Sequence, residues 1–446
     1  MGKQLFGTDG IRGVAGEYPL DPETVYAFGM ALGDDAVSAQ TNPEILIGAD
    51  TRESGPWIAE LVAGGLASRG ARVRYAGVIT TPGVAYLTRT GPFLAGVMIS
   101  ASHNPYLDNG LKVFGHSGFK LPDAEEEAIE REILRLRGKG LRPQPLALAV
   151  DCSLKRAYLE FLASTVPARF EGVRMVVDCG NGAASDLAPA LLRDLGAEVI
   201  ALACAPNGRN INLNCGALHL ENLREAVLAN HADLGVAFDG DADRAMFVAA
   251  SGKSIDGDAV LLMTARALDR AGRLDNHLVV TTVMANLGLE KALERDSIRM
   301  VRTPVGDKYV LEEMVRLGAV LGGEQSGHVI FGQYATTGDG ILTALRVLDL
   351  VRQAGAGLDE LTADLRVYPQ RLVNVRIRER KALADVPAVA REIQRVEEAF
   401  AGSGRVLVRF SGTEPLARVM VEGPDQQQVE SFSEQIADAI RRELGA

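Results

Sequence analysis

Three aspartates alternate with small residues in one short acidic stretch, at Asp239, Asp241 and Asp243. Carboxylates spaced this closely repel one another unless a divalent cation lies among them. The same D-x-D-x-D spacing opens an EF-hand calcium loop, but here the sixth position is Arg244 instead of glycine and the twelfth is Ala250 instead of glutamate. Mg²⁺ is favoured because few protein ligands are available and a phosphate oxygen could supply another. The stretch therefore predicts a site for one Mg²⁺ ion, with a solvated acidic turn as the alternative.

A second loop carries groups suited to nucleophilic attack and proton transfer. It follows the apolar run 94–99 and contains Ser100, Ser102 and His103 before Pro105 turns the chain. Two hydroxyls and an imidazole thus stand at the carboxyl end of a predicted strand, where open α/β sheets bind ligands. Serines in such a loop can also serve only to satisfy backbone groups, so the functional interpretation depends on the other loops.

A third loop, residues 323–328, combines Glu324, Ser326 and His328 with flanking glycines. Carboxylate, hydroxyl and imidazole groups together suit a polyhydroxyl or amino-sugar ligand. A bend between two strands would explain the glycines equally well. The loop therefore indicates a sugar site only in combination with the others.

A fourth loop lies near the carboxyl end and contains Arg409, Ser411, Gly412 and Thr413, with Arg418 shortly after it. Two guanidinium groups, two hydroxyls and a glycine that exposes backbone N–H groups are typical of a phosphate cradle, since arginine can bind two phosphate oxygens at once. An ordinary hairpin loop is an equally good interpretation of this stretch alone.

The elements that must position these loops repeat along the chain. Apolar runs and amphipathic stretches predict the order strand, helix, strand, helix, strand three times, over 44–49, 54–69, 71–76, 82–89 and 94–99, then 173–178, 184–195, 197–202, 220–230 and 234–238, then 278–282, 286–294, 298–303, 307–317 and 320–322. This order predicts mainly parallel mixed sheets covered by helices on both faces. Each third strand leads into a polar loop (100–104, 239–244 and 324–328), so we expect the three domains to face one central cleft.

The rest of the chain follows another pattern. Strands over 372–377, 405–410 and 417–421 and helices over 387–400 and 427–441 predict a smaller α+β domain with an antiparallel hairpin. The predicted class is α/β, with three similar domains and this smaller C-terminal domain. The predicted domains are 1–151, carrying the serine loop; 152–254, carrying the metal loop; 255–366, carrying the sugar loop; and 367–446, carrying the phosphate loop.

The amino-acid composition argues against some classes of binding partner. The 446 residues include 47 basic and 58 acidic side chains, for a net charge of −11, which disfavours binding to nucleic acid or to an anionic membrane. No apolar stretch is typical of a signal core or a membrane span. The cysteines lack CxxC spacing and predict reduced thiols without a zinc site, at Cys152, Cys179, Cys204 and Cys215. A cytoplasmic protein is expected.

The four loops, taken with three further motifs, resemble the α-D-phosphohexomutase superfamily. The further motifs are Phe-Gly-Thr-Asp-Gly-Ile-Arg-Gly at 6–13, Asn-Gly-Leu-Lys at 109–112 and Val-Gly-Asp-Lys-Tyr at 305–309. The resemblance spans essentially the whole chain. The motifs Glu-Gln-Ser-Gly-His at 324–328 and Asp-Asn-Gly at 108–110 resemble those of the superfamily members that act on glucosamine phosphates. Two residues depart from the family pattern: Phe410 stands where proline is usual, and Ala242 where glycine is frequent.

The resemblance implies a phosphoserine enzyme. Ser102 would carry the phosphoryl group, and one of its oxygens would complete the Mg²⁺ shell of the three aspartates. The enzyme would interconvert glucosamine 6-phosphate and glucosamine 1-phosphate through a 1,6-bisphosphate, which would also serve as activator. Its product would supply the synthesis of UDP-N-acetylglucosamine. Arg12 would neutralise charge during transfer.

Further roles follow from the same resemblance. Arg244, Glu324, Ser326 and His328 would bind the sugar, while the fourth loop would hold the phosphate that is not being transferred.

A group must accept the proton of the attacking sugar hydroxyl. Lys112 is the first candidate, because burial and nearby cations can lower the pKa of a lysine towards neutrality. His103 is the second, since its ordinary pKa is already in range. A simple phosphate contact is an equally good interpretation of Lys112.

Two other functions stay open at this point. A phosphomannomutase or phosphoglucomutase would use the same chemistry on another sugar, with the loop 324–328 deciding between them. A catalytically silent sugar-phosphate sensor would need neither Ser102 nor the three aspartates, so their presence argues against it. The sequence leaves the oligomeric state open, a homodimer included.

Overall fold

The structure, a computed structural model, describes residues 4–7, 9–167, 169–410 and 415–446. These residues form two compact units. The first unit extends to Val283 and includes Ile298–Ala363, and the second comprises Met284–Ser297 and Asp364–Ala446. Three of the four sheets belong to the first unit and one to the second.

The first sheet has six strands in the order β1-β2-β6-β5-β3-β4. Its strands are β1 Phe6–Gly7, β2 Gly10–Val14, β3 Glu44–Ala49, β4 Arg72–Val78, β5 Phe93–Ile99 and β6 Asp108–Gly115. The helices of this part are α1 Pro22–Ala39, α2 Gly55–Ser68, α3 Thr81–Thr90 and α4 Asp123–Arg137, and α5 Cys152–Ser164 follows them in the chain.

The second sheet has the order β11-β10-β9-β7-β8 and the third the order β13-β12-β14-β15. The second is built from β7 Arg174–Asp178, α6 Ala188–Asp194, β8 Glu198–Leu202, α7 Glu221–Ala229, β9 Leu234–Phe238, β10 Ala245–Ala249 and β11 Ser254–Ile255. The third sheet and its neighbours comprise α8 Gly257–Arg270, β12 Leu278–Thr282, β13 Arg299–Thr303, α10 Asp307–Leu317, β14 Leu321–Gly323, β15 Val329–Phe331, α11 Gly340–Ala354 and α12 Leu358–Leu361, with a short 3₁₀ turn at Asp275–His277.

One topology recurs in these three sheets. In each of them the first strand of the repeat pairs in parallel with the second and with the third, as β3 does with β4 and β5. An antiparallel strand, β6, β10 or β15, then returns beside the third parallel strand. The predicted βαβαβ repeat is confirmed, and the return strand adds a hairpin whose turn is the polar loop of each domain. Since the turns follow equivalent strands, the loops occupy equivalent places.

Burial explains why the parallel strands read as continuous apolar runs. Every residue of β9 and of β12 is buried, as expected for a sheet with helices on both faces. One predicted helix is shorter than expected. The residues from 184 begin as turns, and α6 itself starts at Ala188, where Pro189 fits the first helical turn.

Helices α1 and α2 pack closely in the first part of the chain. A Cβ on Gly29 would lie 2.3 Å from the carbonyl oxygen of Val62, and one on Gly65 would lie 2.4 Å from that of Tyr26. Glycine is therefore required at both positions by the approach of the two backbones. This contact belongs to the larger apolar core that supports the first sheet.

The second unit contains an antiparallel sheet of order β16-β18-β17. Its elements are β16 Gln370–Arg376, α13 Pro387–Phe400, β17 Arg405–Phe410, β18 Leu416–Glu422 and α14 Gln426–Leu444, with a 3₁₀ turn at Leu383–Asp385. The predicted α+β character is confirmed.

The segment 284–297, with its helix α9 Leu287–Arg295, also packs in this unit, although the predicted domain boundaries place it with the third sheet. The backbone N–H of Leu287 donates to Glu422 at 2.9 Å, and Arg405 donates to the carbonyl oxygen of Ala285 at 2.6 Å. The domain boundaries themselves stay predictions.

The helices of the protein are too short or too polar to span a membrane, as far as the structure describes them. All four cysteines are free thiols, as predicted.

Candidate active site

The polar loops of the first three domains meet within the first unit. The Ser102 hydroxyl donates a hydrogen bond to Asp239 Oδ2 at 2.5 Å, joining the serine loop to the metal loop. The imidazole Nδ1 of His328 lies 3.7 Å from Asp243 Oδ1, joining the sugar loop to the metal loop. The structure thus brings together three of the four loops that the sequence singled out.

The serine loop is held by a fully buried ion pair. Arg52 pairs with Asp50, and both side chains are completely excluded from solvent. Arg52 also donates to the carbonyl oxygen of Ser102 at 3.0 Å and to that of Asn104 at 2.6 Å. Ser100 donates its hydroxyl to Asp50 at 2.5 Å and accepts the backbone N–H of Ser102 at 2.9 Å. Ser100 is therefore a support for the loop, and its partners explain why it stands there.

A residue of the second domain completes this support. The Asn212 amide donates to the carbonyl oxygens of Ser102 at 2.9 Å and of Asn104 at 3.2 Å. Ser102 has a φ of 51°, in the left-handed region that non-glycine residues seldom adopt. Several donors converge on this strained turn, and together they fix the direction of the Ser102 side chain.

Sequence reasoning missed Asp50, Arg52 and Asn212. A signal for the first two was present, because Asp-Thr-Arg directly follows the apolar run 44–49, at the same kind of position as the other polar loops. No comparable signal existed for Asn212, which reaches the serine loop from 108 to 110 residues away in the sequence.

Replacing Arg52 with alanine should destabilise the protein strongly. The change leaves the carboxylate of Asp50 buried without its cation, and breaking a buried pair from one side costs about 3–5 kcal/mol. We expect urea denaturation to show this loss in the free energy of unfolding. As a matched control, Arg72→Ala removes an arginine whose side chain is 67% exposed and pairs with Glu44, and it should cost less than about 1 kcal/mol. Similar losses in the two variants would contradict the supporting role of Arg52.

The aspartate trio fits a divalent cation. One carboxylate oxygen from each of Asp239, Asp241 and Asp243 lies within 4.8 Å of those of the others, and all three side chains are buried. Oδ1 of Asp241 and Oδ1 of Asp243 are buried without a hydrogen-bond partner. Unpartnered carboxylate oxygens are costly inside a protein unless an ion binds them. Hard oxygen donors of this kind suit Mg²⁺.

The charges around the trio differ from one carboxyl to the next. Burial and the neighbouring carboxylates hold the pKa of Asp239 well above its usual range. Burial alone would also raise the pKa of Asp243, but Lys112, His328 and Arg244 together lower it. A cation among these groups would remove the repulsion that raises the pKa of Asp239.

The charged groups nearest to Lys112 are carboxylates, not the predicted cations. Its ammonium lies 2.8 Å from Asp241, 3.0 Å from Asp9 and 3.7 Å from Asp243. Burial alone would lower the pKa of Lys112, but these carboxylates outweigh burial and raise it. The predicted lowering was wrong, because the sequence gave no indication that three carboxylates from two domains surround the side chain.

His103, the second candidate for the base, has a pKa that differs from its ordinary value. Burial, together with the cations of Arg244 and Arg12, lowers its pKa to about 4, so the imidazole is neutral at neutral pH. Its Nδ1 lies 3.3 Å from the Ser102 hydroxyl oxygen. His103 is therefore placed beside the proposed nucleophile as a neutral hydrogen-bonding group.

An alternating network of charges extends from the metal loop, where Lys112 contacts Asp241. Arg12 pairs with Asp9. Asp9 also contacts Lys112 at 3.0 Å and Lys120 at 2.6 Å, and Lys120 in turn lies 2.6 Å from Asp307. Lys120 was not singled out in the sequence, and its two carboxylate partners raise its pKa despite burial. The network ties the first domain to the third at the edge of the site.

The sugar loop is the turn of the β14–β15 hairpin. Glu324 accepts the N–H of Gly306 at 3.2 Å, and its own N–H donates to the carbonyl oxygen of His328 at 2.8 Å. Ser326 is exposed and His328 is buried. Burial opposes the charged form of His328, while Asp243 and Asp307 favour it and raise its pKa.

Arg244 belongs to this part of the site as well. Its backbone N–H donates to Asp239 at 3.1 Å. Burial alone would lower its pKa, but Asp243, Asp239 and Glu324 raise it, so the guanidinium stays charged between the metal loop and the sugar loop.

The fourth loop is described in part. Arg409 and Arg418 are directly paired across β17 and β18, and burial with the charge of Arg418 lowers the pKa of Arg409. Two adjacent guanidinium groups favour an anion between them. Ser411, Gly412 and Thr413 lie outside the described residues. Phe410, one of the two departures from the family pattern, packs against the core of the second unit.

The other departure also has a structural outcome. Ala242 has a φ of 53°, a conformation that glycine adopts at lower cost. Its carbonyl oxygen accepts the N–H of Gly340 at 2.9 Å, so the metal loop keeps this conformation without glycine.

Four family models match the chain in order. They are described as the α/β/α domains I, II and III and the C-terminal domain of phosphoglucomutase/phosphomannomutase, over residues 3–138, 156–252, 256–368 and 372–439. Together they span most of the sequence.

Curated relatives match along their full length. A protein named phosphoglucosamine mutase from Solibacter usitatus is 72% identical over 445 residues, covering 100% of both chains. Proteins of the same name are 50% identical in Koribacter versatilis, over 99% of this chain and 98% of the relative, and 48% identical in Shouchella clausii, over 100% of both.

Solved structures share the fold. A phosphoglucomutase/phosphomannomutase family protein from Burkholderia thailandensis has a TM-score of 0.80 at 22% identity, over 99% of this chain and 98% of that chain. An Aspergillus fumigatus N-acetylphosphoglucosamine mutase in complex with GlcNAc-6P and magnesium has a TM-score of 0.67 at 18% identity, over 98% and 96% of the two chains.

Proposed function

Because the chain belongs to the phosphoglucomutase/phosphomannomutase family of the α-D-phosphohexomutase superfamily, we propose that it interconverts glucosamine 6-phosphate and glucosamine 1-phosphate. It is an isomerase that moves a phosphoryl group within its substrate. The observation that carries the chemistry is the contact of Ser102 with the aspartate trio, where its hydroxyl oxygen lies 2.5 Å from Asp239. The choice of sugar is supported by relatives named phosphoglucosamine mutase at 48–72% identity over the whole chain.

In the proposed reaction, phosphorylated Ser102 gives its phosphoryl group to O1 of glucosamine 6-phosphate. The product of this step is glucosamine 1,6-bisphosphate with a free Ser102 hydroxyl. After the intermediate turns over, its 6-phosphoryl group returns to Ser102 and glucosamine 1-phosphate leaves. The same bisphosphate would serve as activator by loading an unphosphorylated Ser102.

The residues of the chain align and neutralise charge in this scheme. Asp239, Asp241 and Asp243 would hold Mg²⁺, which supplies positive charge for phosphoryl transfer when bound. Lys112 lies among three carboxylates that favour its ammonium form, so we assign it an electrostatic role together with Arg12. His103, neutral and 3.3 Å from Ser102, is the group we propose to exchange the proton.

Arg244, Glu324, Ser326 and His328 are the proposed sugar ligands. Glu324 and His328 are joined through the backbone of their hairpin turn and lie next to the metal loop, which supports this proposal. Arg409 and Arg418, with Ser411, Gly412 and Thr413, are proposed to bind the phosphate that is not transferred. A homodimer and a cytoplasmic location stay predictions.

The alternatives from the sequence are less well supported. A phosphomannomutase or phosphoglucomutase would share the transfer machinery, but the full-length relatives carry the glucosamine name. A silent sensor would leave the contact between Ser102 and Asp239 without a purpose.

A substrate comparison tests the proposed specificity. Pure protein with Mg²⁺ is given glucosamine 6-phosphate, glucose 6-phosphate or mannose 6-phosphate, each with its own 1,6-bisphosphate, and 1-phosphate formation is followed by phosphorus NMR. We expect the highest kcat/KM with the glucosamine compound. A higher value with glucose or mannose phosphate would contradict the proposed sugar and leave the phosphoserine chemistry standing.

Replacing Arg418 with alanine should weaken binding of both monophosphates alike. One site that holds the distal phosphate in both half-reactions must serve glucosamine 6-phosphate and glucosamine 1-phosphate equally. Loss of a hydrogen bond to a charged group costs about 1.5–3 kcal/mol, roughly ten- to a hundredfold in affinity. Titration calorimetry with each monophosphate measures the effect.

A matched control is Arg378→Ala, an exposed arginine in the same unit, which should leave both affinities unchanged. A loss confined to one monophosphate would contradict the shared phosphate site.

A further inference from the structure

A short segment that follows β15 and ends at the first residue of α11 contacts all three domains of the first unit. This segment comprises Thr336, Thr337, Gly338, Asp339 and Gly340, and we refer to it as the 336–340 segment. The Thr336 hydroxyl donates to the carbonyl oxygen of Gly118 in the first domain at 2.6 Å. The N–H of Gly340 donates to the carbonyl oxygen of Ala242 in the metal loop at 2.9 Å. The segment thus joins the turn that follows β6 to the metal loop.

The segment also orients His328 of the sugar loop. The N–H of Gly338 donates to Nε2 of His328 at 2.8 Å. In the neutral imidazole, an N–H donor at Nε2 requires that nitrogen to be unprotonated, so the ring proton lies on Nδ1, which faces Asp243 at 3.7 Å. The 336–340 segment therefore sets the direction of this imidazole and the tautomer of its neutral form.

The close fit leaves no room for side chains at either glycine. A Cβ on Gly338 would lie 2.6 Å from the His328 ring, and one on Gly340 would lie 2.5 Å from the carbonyl oxygen of Arg244. Any shift of the segment would thus press on the sugar loop or on the metal loop. The position of the residue between the two glycines, Asp339, decides where both of them lie.

Asp339 is a buried carboxylate held by hydrogen bonds. Its Oδ1 accepts the N–H of Leu342 at 2.9 Å, which caps α11, and its Oδ2 accepts the phenol O–H of Tyr158 at 2.8 Å. Burial raises the pKa of Asp339 to about 6, while these donors favour the charged form. Tyr158 is the side-chain donor that fixes this carboxylate.

Tyr158 connects Asp339 to a second group of contacts with the metal loop. The side chain lies on α5, is fully buried, and accepts the Thr80 hydroxyl at 3.2 Å. The next residue, Thr81, donates its hydroxyl to Oδ2 of Asp241 at 2.5 Å and its N–H to the carbonyl oxygen of Asp241 at 3.0 Å. The Tyr158 phenol therefore bonds both to Thr80, whose neighbour Thr81 holds Asp241, and to Asp339 of the segment that holds His328.

We propose that Tyr158 is a positioning residue for phosphoryl transfer. Through its hydrogen bonds with Asp339 and Thr80, it keeps His328 and the metal loop in their positions. The inference rests on the proposed function, in which His328 binds the sugar and the aspartates bind Mg²⁺. Tyr158 touches neither, and it acts through the 336–340 segment and the amino end of α3. Partners that orient the ligands of a metal in this way typically contribute 10- to 100-fold to metal affinity or activity.

The test is Tyr158→Phe, with Tyr86→Phe as its matched control. Both changes remove one phenol oxygen from the same aromatic cluster, where the rings of Tyr86 and Tyr158 lie 6.1 Å apart, but only Tyr158 bonds to Asp339. In Tyr158→Phe we expect Mg²⁺ affinity, measured by calorimetry without substrate, to fall about tenfold or more, and kcat to fall about 10- to 100-fold with KM changed much less. The imidazole ¹⁵N shifts of His328 should move in this variant. Tyr86→Phe should match the wild type in all three measurements.

A double-mutant cycle separates positioning from general stability. Asp339→Asn keeps the size of the side chain and an acceptor for Leu342, and it replaces the carboxylate that Tyr158 contacts. If the phenol acts through Asp339, the effects on Mg²⁺ affinity should be clearly less than additive in the double variant. Should Tyr158→Phe fail to fold, Asp339→Asn alone should still move the ¹⁵N shifts of His328 and lower Mg²⁺ affinity.

Wild-type Mg²⁺ affinity and unchanged His328 shifts in a folded Tyr158→Phe protein would overturn the inference, as would fully additive effects in the cycle. The Mg²⁺ and ¹⁵N measurements need no sugar phosphate. A wild-type protein that is inactive on glucosamine phosphates would contradict the proposed function alone and leave these readouts to decide the role of Tyr158.

Discussion

Replacing Ser102 with alanine should abolish mutase turnover while leaving the protein folded. The proposed reaction passes through a phosphoryl group on this hydroxyl, and no other hydroxyl among the described residues donates to Asp239. Removal of an essential nucleophile typically lowers turnover by about 10⁴-fold or more. The methyl group of alanine fits the space, so unfolding by urea should change by less than about 1 kcal/mol.

The measurement is the conversion of glucosamine 6-phosphate with bisphosphate and Mg²⁺ in excess. Ser117→Ala is the matched control, since Ser117 lies on an exposed turn of the same domain and should keep full activity. Turnover of Ser102→Ala within tenfold of the wild type would contradict the phosphoserine assignment.

Replacing Asp241 with asparagine should have the second largest effect on turnover, after the replacement of Ser102. The change removes one of three anionic ligands and leaves Lys112 and Thr81 facing a neutral amide in place of the carboxylate they contact at 2.8 and 2.5 Å. We expect Mg²⁺ affinity to fall at least about 100-fold and turnover to fall with it. Calorimetry with Mg²⁺ and activity at several Mg²⁺ concentrations measure the two effects.

Two controls accompany this prediction. Asp186→Asn changes an exposed carboxylate in the same domain and should leave Mg²⁺ affinity unaltered. Excess EDTA should stop the wild-type enzyme, and added Mg²⁺ should restore it. Full activity in EDTA would show that the aspartate trio has another task.

The strands that carry the loops were predictable because each is a short apolar run that is almost entirely buried. Residues 94–99 and 234–238 were predicted as strands, and β5 and β9 coincide with them almost residue for residue. The return strand β6 was missed, since its Asp-Asn-Gly-Leu-Lys start shows neither a continuous apolar run nor alternation. Helix α1 was also missed, although Asp21 followed by Pro22 is a common helix start. Asp21 caps this helix, because its side chain accepts the N–H of Thr24.

The residue types of the site could be read from the sequence, but their electrostatics could not. The ammonium of Lys112 is charged because Asp9 and Asp241 approach it from distant parts of the chain. The low pKa of His103 depends on its burial and on Arg244 and Arg12, which also come from distant parts of the chain. Such shifts depend on distances across domains, which a local pattern does not contain.

The supporting residues were the hardest to predict for a related reason. Arg52, Asn212 and Tyr158 act through contacts with residues 50 to 181 positions away. A lone arginine, asparagine or tyrosine has no spacing that marks such a role. Only the fold shows that their donors converge on the serine loop and on Asp339.

One measurement tests the central claim most directly. The protein is loaded with Mg²⁺ and glucosamine 1,6-bisphosphate whose phosphoryl groups carry ¹⁸O, freed of excess label and chased with unlabelled glucosamine 6-phosphate, and its peptides are analysed by mass spectrometry before and after the chase. We predict one labelled phosphoryl group on the peptide that contains Ser102, replaced during the chase by an unlabelled one as labelled glucosamine 1-phosphate is released. A peptide that never gains a phosphoryl group, or that keeps the ¹⁸O label through the chase while glucosamine 1-phosphate accumulates, would contradict phosphoryl transfer through Ser102.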